Sequence, residues 1–134
     1  MATRTITRYS SEVLNNSQLV DNGNPKTQHL LTVPASVLYA QLVDIRILYD
    51  TSEYGDLHNL RFGLWATDSS GNKIASFYPK NYIIETYNTQ FYTAFEHYIQ
   101  LPAGSKIYWC AMLDDQITGK DYNVCVNATL ETYA

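Results

Sequence analysis

Charge is scarce in this 134-residue chain: Asp, Glu, Lys and Arg together make up 16%, against roughly a quarter of an average soluble domain. The nine cations form no cluster. That excludes the electrostatic footprint of a protein that grips a phosphate backbone, and nucleic acid is not expected as a partner. Long apolar runs are missing as well. The opening MATRTITRYSSEV lacks the continuous core of a secretory signal. No later stretch nears the roughly 18 apolar residues of a spanning helix, so the chain reads as soluble. Cysteine is limited to Cys110 and Cys125, and no C-x-x-C or H-x-H spacing supports zinc. Also absent are a phosphate-cradling glycine loop, a dinucleotide fingerprint and a Ser–His–Asp order, so neither catalysis nor a cofactor is expected. Two glycosylation patterns, at Asn15 and Asn127, carry little weight in a chain so rich in Asn and Thr.

What the chain does have is alternation, with β-branched and aromatic residues gathered in the alternating runs, and twelve tyrosines. This is the signature of strands. Val43, Ile45, Ile47 and Tyr49 fall on one face of a predicted strand, with Asp44 and Arg46 on the other. Leu60, Phe62, Leu64 and Ala66 alternate with Arg61, Gly63 and Trp65. The Asp68-Ser69-Ser70-Gly71-Asn72 turn then leads into a strand at 73–78 that Pro79 is expected to end. Further strands follow up to KIYWCAML and YNVCVNATLETY. If these last two pair antiparallel with residue numbers summing to 235, Ile107, Trp109, Ala111 and Leu113 share an apolar face with Ala128, Val126, Val124 and Tyr122. The same register places Cys110 beside Cys125. A disulfide there needs an oxidising compartment, and two reduced thiols are the default for a protein assembled in the cytosol.

About eight strands emerge, enough for two antiparallel sheets packed face to face in an all-β sandwich. A single open sheet would leave too much apolar surface wet. Residues 29–134 are read as this domain, and residues 1–28, rich in turn formers, as an N-terminal strand or reaching arm. Two Pro-Ala segments, HLLTVPASVLY at 29–39 and HYIQLPAGSKIYW at 97–109, echo each other 68 residues apart, which suits a two-half Greek-key design. The TVPAS and LPAGSKIYW approaches to strands, with the tyrosine-rich polar faces and the plain β ending, resemble small jelly-roll modules of viral and bacteriophage structural proteins. Head-decoration, fibre and baseplate components are examples. The resemblance implies a virion protein made in the host cytoplasm and partnered by other protein.

Candidate chemistry is thin. His29, His58 and His97 are the available bases, but His97 and its neighbour Glu96 point to opposite faces of a strand. Asp50, Glu53 and Asp56, and Asp114, Asp115 and Asp121, supply oxygens in two loops without the spacing of a dedicated calcium loop. Tyrosine gives a stiff apolar face with a polar tip, suited to protein interfaces and to sugar rings. Tyr54, Trp65, Tyr78, Tyr82, Tyr87 and Tyr92 are therefore the candidate interface or sugar-stacking residues, with Asp56, Asn59 and Asn88 as candidate partners for sugar hydroxyls. Two functions follow: a non-catalytic structural module that self-associates or joins a larger lattice, and a carbohydrate-binding module or small lectin.

Overall fold

A computed structural model describes residues 3–51, 58–86, 100–113 and 122–134. The chain runs β1 (Arg4–Ser10), β2 (Leu14–Asn15), α1 (Asn16–Leu19), β3 (Val20–Asp21), β4 (Asn24–Pro25), β5 (Gln28–Thr32), β6 (Tyr39–Thr51), β7 (His58–Thr67), β8 (Lys73–Thr86), β9 (Gln100–Pro102), β10 (Lys106–Leu113) and β11 (Tyr122–Tyr133). Two antiparallel sheets carry the longer strands, in the orders β1-β11-β6-β9 and β5-β10-β7-β8. Leaving out the two-residue strands, the first pairs with the last, the second with the seventh, the third with the sixth and the fourth with the fifth. That nesting is the jelly roll, two Greek keys folded into a sandwich.

The apolar faces read from the alternation meet between the sheets. Leu60, Phe62, Leu64 and Ala66 of β7 are fully buried, as are Ile107, Trp109 and Ala111 of β10, and Val124, Val126 and Leu130 of β11. The expected β10–β11 hairpin does not form. β10 pairs with β5 and β7, while β11 pairs with β1, β2 and β6 in the opposite sheet. The two apolar faces therefore oppose each other across the core instead of lying side by side. A consequence is that Cys110 and Cys125 stand in different sheets at positions that alternate with core residues, and neither is in a disulfide.

Irregularities shift the faces locally. In β6, Thr129 faces Asp44 and Leu130 faces Leu42, so Val43 has no partner. This one-residue bulge returns Leu42 and Ala40 to the core and leaves Val43 half-buried, contrary to the simple alternation. Pro79 does not end its strand. β8 runs on to Thr86, and residues 79–81 bulge against Gly63, because proline has no N–H to give the ladder. The 68–72 turn forms as its residues predict: Asp68 Oδ1 accepts from the Ser70 and Asn72 amides at 2.9 Å each.

The echoed Pro-Ala segments meet in space. Each carries the chain from one sheet to the other, the first between β5 and β6, the second between β9 and β10. The Val33 amide donates to the Ser105 carbonyl at 2.7 Å, and the Gly104 amide to the Val33 carbonyl at 3.0 Å. Residues 4–28 lie against this frame: β1 runs along β11 from Arg4↔Tyr133 to Ser10↔Asn127, and Leu19 is fully buried in the core. An Asn15 capping box holds the single turn of α1.

Candidate assembly surfaces

Among the described residues β8 is an edge strand, and it carries three of the exposed large hydrophobics: Ile74 at 41%, Tyr82 at 45% and Ile83 at 39%. Two of the three have a local cause. Ile74 is a bulge residue with no partner on β7, since Ala66 faces Ala75 and Thr67 faces Lys73. Tyr82 lies opposite Phe62 and so on the core side, but at the sandwich margin. Phe62, Tyr78 and Tyr82 form an aromatic path from core to surface. The Tyr78 ring meets Phe62 edge-on at 5.7 Å, and Tyr82 follows at 5.0 Å. Pairs of this kind add about 0.5–1.5 kcal/mol beyond area burial, so the exposed ring is held in place by its neighbours. The bulges also interrupt the regular ladder along this strand, which discourages strand addition.

The remaining candidates are dispersed. Trp65 is buried at 7% exposure on the outward side of β7, stacked on Tyr108 at 6.1 Å. Asn59 is half-buried, and its Oδ1 has no hydrogen-bond partner among the described residues. Tyr54, Asp56, Tyr87, Asn88 and Tyr92 lie outside the described residues, as do His97, Glu53, Asp114, Asp115 and Asp121. His29 bonds to Thr32 Oγ1 through Nε2 at 2.9 Å and meets Tyr108 edge-on. No three metal-ligating side chains converge among the described residues, and no helix there is long and apolar enough to cross a membrane.

The second surface was not anticipated from the sequence. The outward side of β1, β11 and β6 holds a shallow polar depression of about 330 Å³ lined by Arg8, Ser10, Asp44, Arg46, Asn127 and Thr129. Asp44 pairs with Arg46 at 3.2 Å, and Ser10 Oγ donates to Asn127 Oδ1. Its residues come from strands far apart in the chain, brought together only by the pairing of first strand with last.

No protein-family model matches the chain, and no curated protein matches its sequence. Solved structures do match. The T13 particle of infectious bursal disease virus superposes with a TM-score of 0.55 at 13% identity, over 97% of this chain and 35% of that one. The Gt strain of the same virus gives 0.54 at 14%, over 97% and 37%. The cyanophage Pam1 capsid gives 0.53 at 11%, over 97% and 85%. The chain thus spans about a third of the length of the bursal disease virus chains and most of the cyanophage one. At such identities the likeness is one of fold. It places this all-β sandwich with viral jelly rolls, the resemblance that TVPAS and LPAGSKIYW carry in the sequence.

Proposed function

We propose that the protein is a non-catalytic structural module of a virion, a capsid decoration, fibre or baseplate component that joins a larger protein lattice. The observation that carries this reading is the likeness of fold, over 97% of the chain, to a viral particle and a phage capsid structure. The exposed Ile74, Tyr82 and Ile83 on β8 support it, because interface cores are enriched in aromatics and depleted in charge. In this reading the protein is made in the host cytoplasm and resides in the virion. Light scattering on the purified protein at micromolar concentration tests it, and a stable assembly is expected. A monomer throughout, combined with selective binding on a glycan array, would move the assignment to a carbohydrate-binding module. The exposed Tyr82 ring is the feature that favours that second reading, and Tyr82→Ala would then abolish the glycan signal.

A further inference from the structure

We propose that the outward face of the β1-β11-β6 sheet is a two-fold contact with a second copy of this chain, in which Arg8 pairs with Asp44 of the other copy. The proposal rests on the assembly reading and names the surface that serves it.

The protein carries a net −4, so two copies repel in general. On this face the balance differs. Arg4, Arg8 and Arg46 are matched by Asp44, Asp50 and Glu131: Arg46 and the three acids alternate with buried residues of β6 and β11, and Arg4 and Arg8 lie opposite Tyr133 and Thr129, which do the same. Like copies therefore meet here without net repulsion. Two of these cations have partners in the chain: Arg4 pairs with Glu131 at 3.7 Å and Arg46 with Asp44 at 3.2 Å. Arg8 has no ion-pair partner among the described residues. Its own row across the sheet is Arg8–Thr129–Asp44, which puts Asp44 two strands, roughly 10 Å, away.

A two-fold axis along β11 in the contact plane lays each row over the same row of the other copy with its outer strands exchanged. Arg8 then stands over Asp44 of the second copy, and the reverse pair forms by symmetry. Sheets packed face to face keep their strand directions within about 30° of each other, so the row-on-row match holds best near the centre of the face. The Arg8 row and the adjoining Ser10–Asn127–Arg46 row lie near the middle of the 12-residue β11. Ile6, 52% exposed, and Leu48, 38% exposed, flank these rows and supply apolar contact. With β11 about 40 Å long and the three strands about 15 Å across, the face offers on the order of 600 Å². That is at the lower end of what each partner of a specific interface buries, roughly 600–1,000 Å².

The test is a charge-swap cycle read by sedimentation velocity across a concentration series, with circular dichroism to confirm folding. Arg8→Glu and Asp44→Arg should each weaken dimerisation at least tenfold, and the double variant should restore it, since the swapped charges again face each other. Single variants that dimerise like the wild type, or a double variant as weak as either single, would overturn this interface while leaving self-assembly standing. A wild-type monomer at every concentration would overturn this interface and count against the assembly reading as well.

Discussion

At the residue scale, the two cysteines show how side-chain direction overrides sequence spacing. Cys110 and Cys125 belong to separate sheets whose buried faces pack together, and each alternates with core residues, so the thiols point away from each other. A disulfide needs its Cα atoms within roughly 7 Å and converging Cβ vectors. The expected outcome is a thermal midpoint and a solution mass that do not change with reductant, checked by calorimetry and light scattering. Tyr122 gives a second prediction. Burial raises its phenol above the ordinary value of 10.0, opposed by the smaller effect of the Leu113 amide, which donates to the phenol oxygen at 3.3 Å. The folded state therefore keeps a proton that the unfolded chain releases. The stabilisation is complete below pH 10 and is lost as pH rises through the raised folded value. Wild-type protein should lose more stability than Tyr122→Phe between pH 10 and 12, as measured by urea unfolding at each pH.

At the scale of elements, the crossing corners make the sharpest demand on the backbone. Gly104 sits at φ +81°, and a Cβ there would lie 3.3 Å from Ser69 Cβ. Left-handed backbone alone costs a non-glycine residue about 1–2 kcal/mol. Gly104→Ala should lower stability by at least that amount in denaturant titration, with no change in the slope against denaturant. The strand faces and the 68–72 turn were legible in the sequence, because a period of two and a backbone-bonding aspartate are local signals. Strand partners were not. Ile107 to Leu113 and Tyr122 to Leu130 have matching apolar faces, and two matching faces serve equally well beside each other or across a core. Nor was the bulge at Val43 visible, since nothing in LVDIRILY marks which residue the ladder skips. The Arg8–Asp44 row escaped notice for the same reason: it exists only through long-range pairing of β1 with β11.

At the scale of the whole molecule, nested pairing fixes an order of assembly. β7 and β8 are joined by a five-residue turn, so their pairing closes a small loop. β1 with β11 joins the two ends of the chain. Closing a loop costs entropy that grows with its length, and long-range β topologies fold slowly for that reason. The inner hairpin should thus be formed in the folding transition state, and the outer strand added late. Two substitutions distinguish the stages. Leu64→Ala, at a fully buried position of β7, should cost about 2–5 kcal/mol and slow folding. Tyr9→Ala, on β1 with its ring packed against the core, should act almost wholly by speeding unfolding. Stopped-flow chevrons for both variants check this. If Tyr9→Ala slowed folding as much as Leu64→Ala for equal destabilisation, the ends of the chain would be meeting early, and loop entropy would not be what orders the assembly of this sandwich.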